Sequence, residues 1–158
     1  AQLDRFALRV SFGYPSPDDE WDIVARRLAR RSEDQTVPTV LPVDGLLSLQ
    51  TVVETVHVDP AVGRYAVALA TATRSHPDAA VGASPRASLT LVTCARALAL
   101  IEGRAFVVPE DIKALAHAAL DHRITVKPEL WLSDASAARV VNDALASVEV
   151  PDTVTATT

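Results

Sequence analysis

Apolar residues recur along this chain at two different periods. Phe6, Leu8, Val10 and Phe12 alternate with Arg5, Ala7, Arg9 and Ser11, the period of a half-buried strand. Gly13-Tyr14-Pro15 ends it, and Ser16-Pro17-Asp18-Asp19 reads as a helix start: a hydroxyl at the cap, proline at the first helical position and carboxylates in the positive first turn. Trp21, Val24, Ala25 and Leu28 supply the apolar stripe of that helix. Ser32 to Pro42 has two prolines and no period, and so predicts a surface loop. Helical spacing returns from Asp44 with Leu46, Leu49, Val53 and Val56, and Asp59-Pro60 opens a further helix lined by Val62, Tyr65, Ala66, Leu69 and Ala72. Arg74 to Gly82 breaks the pattern as a structured loop.

Ser84-Pro85 begins the longest helix, where Leu89, Leu91, Val92, Cys94, Ala95, Leu98 and Ile101 cover more than one face up to Gly103. Pro109, Glu110 and Asp111 open the next, with Ile112, Leu115, Ala119 and Leu120 inward. Ile124 and Val126 alternate with Arg123, Thr125 and Lys127 as a short extended piece, and Ser133 is the expected cap of a last helix carrying Ala138, Val141 and Leu145. The pattern predicts an all-α domain of about six helices preceded by one orphan strand. A lone strand leaves its backbone groups unpaired, so residues 6–12 are expected to belong to a sheet whose other strands lie outside this chain. The expected organisation is 1–13 as the end of a truncated core, 14–150 as a helical domain and 151–158 as a frayed tail.

Composition sharpens this picture. A chain of 158 residues that is 49% hydrophobic can bury a core without staples. Its formal charge of -5 gives no basic field to draw it to nucleic acid or an anionic membrane. No uncharged run approaches the roughly 20 residues of a spanning helix, and the N-terminus does not read as a signal peptide. Cys94 is the single cysteine, which fits a reducing, cytoplasmic setting and leaves no sulfur set for zinc. Thirteen arginines against two lysines suggest a GC-rich bacterial genome. The chain starts at Ala1 and contains no methionine, as expected either of removal of the first methionine or of a piece of a longer protein.

The candidate chemistry is sparse. The glycines at 13, 45, 63, 82 and 103 are too far apart for a phosphate-cradling loop. His57, His76, His117 and His122 have no metal-ligand spacing and read as structural, so no metal site is expected. Asp18, Asp19 and Glu20 read as dipole partners of their helix, and Arg26, Arg27, Arg30 and Arg31 suit its other end. Arg86 stands apart. After Ser84 as cap and Pro85 as first residue it occupies the second helical position, where a cation opposes the dipole by about 0.3–1 kcal/mol. An arginine added to the free amides of a helix start makes a stronger phosphate site. Arg5 opens the orphan strand and by itself could be a simple ion-pair residue.

Ala1-Gln2-Leu3-Asp4-Arg5-Phe6, Gly13-Tyr14-Pro15, Arg74-Ser75-His76-Pro77 and Gly82-Ala83-Ser84-Pro85-Arg86-Ala87 together resemble the C-terminal part of a MoxR-family AAA+ ATPase. So do Arg96-Ala97-Leu98-Ala99, Gly103-Arg104 and Val108-Pro109-Glu110-Asp111-Ile112, in order and spacing. The resemblance implies a helical lid that closes over nucleotide held by an upstream core. It implies Arg86, beside Ser84, as a sensor-2 arginine at the γ-phosphate, and Arg5 as an arginine finger acting in trans. It further implies ATP and magnesium in the intact parent and none bound by this chain alone, which lacks the phosphate loop. A homo-oligomeric ring, chaperone-like maturation of client proteins and partners with a von Willebrand factor A domain complete the implied picture. The rival reading is a free-standing helical adaptor that never meets ATP.

Overall fold

The computed structural model describes residues 2–33 and 37–152; Ala1, part of the expected 32–42 loop and most of the expected tail lie outside it. Among the described residues six α-helices run in chain order: α1 (Pro17–Arg30), α2 (Val43–Thr55), α3 (Pro60–Ser75), α4 (Pro85–Ile101), α5 (Pro109–Leu120) and α6 (Ala137–Ser147). The chain divides into two compact units, Val10–Ser48 and Ala1–Arg9 with Leu49–Thr158.

Four of the six helices start on proline, which lacks the amide that a first turn cannot use anyway. The Asp59 carboxylate caps α3 by accepting from the Ala61 amide at 2.7 Å. Asp111 does related work for α5, accepting from the Val108 amide at 2.9 Å. It also receives both terminal nitrogens of Arg104, at 2.9 and 2.6 Å, which with Glu102 hold that guanidinium protonated far above the usual range. The cap of α6 is Ser136, not Ser133: the Arg139 amide reaches Ser136 Oγ at 3.2 Å, whereas the Ser133 hydroxyl turns back to the Leu130 carbonyl. Both serines match a cap by residue type, and the intervening turn decides between them.

The larger unit is a bundle of α3, α4, α5 and α6. On α4 the buried residues are Ala87, Ser88, Leu91, Ala95 and Ala99, while Leu89 and Ile101 face outward, so the helix buries a narrower face than its apolar content predicts. Small residues on that face bring α3 and α5 close, and Leu69, Ile112, Leu120, Val140 and Val141 fill the space between. His76 Nε2 meets Asp143 at 3.0 Å and His117 Nε2 meets Asn142 at 3.1 Å, so two of the histidines fasten α6.

Two features depart from the sequence pattern. First, a short β1 (Ala79–Val81) forms inside the expected loop and pairs antiparallel with β2 (Thr125–Val126). Second, residues 6–12 form no strand: Phe6, Leu8, Val10 and Phe12 are exposed, and no ladder partner exists among the described residues. A strand is stable only when a neighbour takes up its backbone groups, and the fixed point here is a single bond from the Arg9 amide to the Ala118 carbonyl, at 2.8 Å. The apolar stripe of α1 is likewise exposed at Trp21, Val24 and Leu28, and no residue of α1 is buried.

Gly82 closes the β1 loop against the end of α3. A Cβ there would fall 2.5 Å from the Arg74 Cα and 2.6 Å from its amide nitrogen, and backbone cannot yield as a side-chain tip can. Gly82→Ala is therefore expected to destabilise the unit by about 2 kcal/mol or more, read as a lower midpoint in urea unfolding; an unchanged midpoint would refute the close approach.

Candidate functional site

The site is built where the N-terminal turn meets the start of α4. Thr73 and Arg74, at the end of α3, fix the approach: the Ala83 amide donates to Thr73 Oγ1 at 3.0 Å, and Arg74 Nε donates to the Ala83 carbonyl at 2.6 Å. Ala83 is fully buried, and Pro85 follows as the first residue of α4. Ser84 therefore has a fixed orientation. Its hydroxyl does not cap the helix as the sequence suggests; it donates to the Asp4 carboxylate, 3.1 Å from each oxygen.

That bond joins residues eighty positions apart. Asp4 lies in the 3₁₀ turn Leu3–Arg5, and Arg5 is its last residue. Arg86 stands two residues beyond Ser84. The structure thus brings the two sequence-predicted arginines to neighbouring segments, one on each side of the Asp4–Ser84 contact. Both are exposed, and neither side chain has a hydrogen bond or ion pair among the described residues. An ion-pair role for Arg5 is not what the geometry shows, since the paired residue is Asp4.

The partner of Asp4 is Arg123, a residue that the alternation around Ile124 and Val126 assigns to a polar face. Its side chain is instead 1% exposed, with Nε 3.1 Å from Asp4 Oδ1. It follows α5 in the 3₁₀ turn Asp121–Arg123 and points back into the unit. Nη2 donates to the carbonyls of Phe6 at 2.7 Å and Asp4 at 3.2 Å and to Thr90 Oγ1 at 3.3 Å; Nη1 donates to the carbonyls of Ala7, at 3.1 Å, and Ala119. Beside it His122 donates through Nε2 to the Phe6 carbonyl at 3.1 Å. A buried cation is tolerated only when its donors are so satisfied. A signal for this was present in the sequence: an arginine lies between the inward-facing Leu120 and Ile124.

Residues 71–144 match the AAA lid domain family. Along 96% of its length the chain is 36% identical to the uncharacterised protein YeaC of Bacillus subtilis, 33% identical to the chaperone MoxR1 of Mycobacterium tuberculosis and 30% identical to the protein MoxR of Paracoccus denitrificans. It spans 47, 42 and 50% of the lengths of these relatives, respectively. A crystal structure of a candidate ATPase from Cytophaga hutchinsonii superposes with a TM-score of 0.85 at 26% identity, over 96% of this chain and 48% of that one. The fold is thus that of a helical AAA lid. Within that class the chain corresponds to the C-terminal lid region of MoxR-family AAA+ ATPases.

Cys94 reports on the interior of this region. Burial pushes its thiol above the ordinary range, and the nearby Arg123 charge partly offsets the rise. Because the folded value lies above the unfolded one, the thiol's contribution to stability is complete below about pH 8.5 and declines as pH rises beyond it. Alkylation by iodoacetamide is expected to be slower than that of a free thiol at pH 8 and to accelerate as pH rises further. Labelling at the rate of a free thiol at pH 8 would contradict this environment.

Proposed function

We propose that this chain is the lid of a bacterial, cytoplasmic AAA+ ATPase that couples ATP binding and hydrolysis to chaperone-like maturation or remodelling of client proteins. The observation that carries the reading is the placement of two exposed, unpartnered arginines on either side of the Asp4–Ser84 contact, within a chain that resembles MoxR proteins over 96% of its length. A guanidinium at the start of a helix is unfavourable toward the helix dipole and favourable toward a phosphate. Arg86 thus gains from an anion what it lacks in this chain alone. The name of the Mycobacterium tuberculosis relative, a chaperone, supports the client-directed part of the reading.

ATP and magnesium would be held by an upstream core, and they supply the phosphoryl group whose transfer develops charge. The chain's own contribution is positive charge at fixed positions. Arg86 acts as the sensor-2 arginine on the nucleotide of its own subunit, with Ser84 setting the start of α4. Arg5 acts as the arginine finger toward a neighbouring subunit in a homo-oligomeric ring. Lysine would serve poorly at either place, because it lacks the planar fork that matches phosphate oxygens. Proteins with a von Willebrand factor A domain are the proposed partners of the ring.

In the intact protein, Arg86→Ala is expected to slow ATP hydrolysis without changing the melting temperature of the lid; unchanged turnover removes the sensor role. Arg5→Ala is expected to leave ATP binding intact while lowering hydrolysis by about 10³-fold or more. Mixing Arg5→Ala subunits with wild type tests the direction: sites on mutant subunits should recover when a wild-type neighbour supplies Arg5, and no recovery at any ratio rules out action in trans.

A further inference from the structure

We propose that Arg74 is a second phosphate-binding arginine of the lid, which meets the same terminal phosphate as Arg86. The inference rests on the reading of Arg86 as a sensor for the γ-phosphate. It starts from the way the last turn of α3 holds Ala83. Both main-chain polar groups of Ala83 are taken by consecutive side chains: the amide donates to Thr73 Oγ1 at 3.0 Å, and the carbonyl accepts from Arg74 Nε at 2.6 Å. Thr73 is fully buried and donates its own hydroxyl hydrogen to the Ala70 carbonyl, at 2.7 Å. Gly82 adds a backbone contact, since a Cβ there would fall 2.5 Å from the Arg74 Cα. The stem of Arg74 is therefore fixed against the segment that leads into α4.

One neutral donor would satisfy the Ala83 carbonyl. Arg74 spends only Nε on it, and its terminal nitrogens, with the other four of its five N–H groups, have no hydrogen bond or ion pair among the described residues. They share one plane with Nε and so lie beside the residue that precedes Ser84. Arg86 follows Ala83 by three residues, a stretch of at most about 11 Å, and like Arg74 it is exposed. The carboxylate that reaches this segment, Asp4, is engaged by Ser84 and Arg123. Two guanidinium groups without a carboxylate of their own thus stand on adjoining segments of one compact unit. The group chemically matched to both is a phosphate, which offers several oxygens to two planar forks. Arg74 also suits the C-terminal end of α3, where a cation is favoured, but that role requires no bond to the segment opening the next helix.

Glutamine Nε2 stands as many bonds from its Cα as arginine Nε does. Arg74→Gln therefore keeps a donor for the Ala83 carbonyl and removes the charge and the terminal nitrogens. The intact protein carrying Arg74→Gln or Arg86→Ala is titrated with N-methylanthraniloyl-labelled ADP and with an equally labelled, non-hydrolysable ATP analogue; ATP turnover and melting temperature are measured alongside. Arg74→Gln is expected to weaken binding of the ATP analogue at least fivefold and of ADP less than twofold, to lower kcat at least tenfold and to leave melting unchanged. A purely structural arginine would leave the ratio of the two affinities at its wild-type value, so an unchanged ratio overturns the proposal, as does a kcat within twofold of wild type. If Arg74→Gln does not fold, Arg74→Lys keeps the cation but offers one nitrogen to two acceptors. It is expected to weaken the ATP analogue at least threefold with ADP within twofold; equal losses for both nucleotides, or none, overturn the proposal. Wild-type binding and turnover in Arg86→Ala are a separate failure. They overturn the sensor reading, and with it the inference.

Discussion

A single buried guanidinium ties the N-terminal turn to the helical bundle. Arg123 has five N–H groups, so its position inside the unit depends on acceptors that converge on it. The chain supplies them from three directions: the turn at residues 4–7, the last turn of α5 and Thr90 on α4. Removing the N-terminal turn or the Ala119 carbonyl would leave a buried donor unsatisfied, which costs more than an ordinary hydrogen bond contributes. The turn at the start of the chain is therefore ordered by residues more than a hundred positions away.

The same constraint explains the behaviour of Ser84. At a helix start a serine hydroxyl ordinarily satisfies an amide of the first turn. Here the hydroxyl is turned toward Asp4, held by Arg123, and donates to its carboxylate, while no first-turn amide reaches the hydroxyl oxygen. What remains at the head of α4 is a first turn without its side-chain cap and an exposed arginine beside it. Gly82 and the Thr73 and Arg74 contacts then set where that helix start lies. Local propensity, tertiary bonding and the placement of charge thus lead to the same few residues.

How much of this was legible in the sequence follows from the range of each interaction. The helices whose starts are set by proline and acidic residues within one turn were readable, because those forces act over three or four positions: Ser16-Pro17, Asp59-Pro60, Pro85 and Pro109 all stand where the pattern places them. Arg86 could be singled out for the same reason, since its conflict with the helix dipole is local. The β1–β2 pair was only half visible: β2 falls within the predicted extended piece, but β1 sits among Arg74 to Gly82, where turn residues mask a three-residue strand. Arg123 was misread because alternation over five residues resembles a strand face, while its partner Asp4 lies 119 positions away.

The exposed apolar alternation of residues 6–12 belongs to the same logic. Its period is that of a strand, yet a period states only which side chains would share a face and says nothing about what will pair with the backbone. Within the described residues the attachment of this segment is made at its beginning, by Arg123, His122 and the Arg9 amide, and Val10 opens the other compact unit. The hydrogen bonds that attach the N-terminal segment to the bundle therefore end at Arg9. An element needing sheet neighbours and a turn needing a buried cation lie side by side in sequence, and in this chain only the second finds its partner.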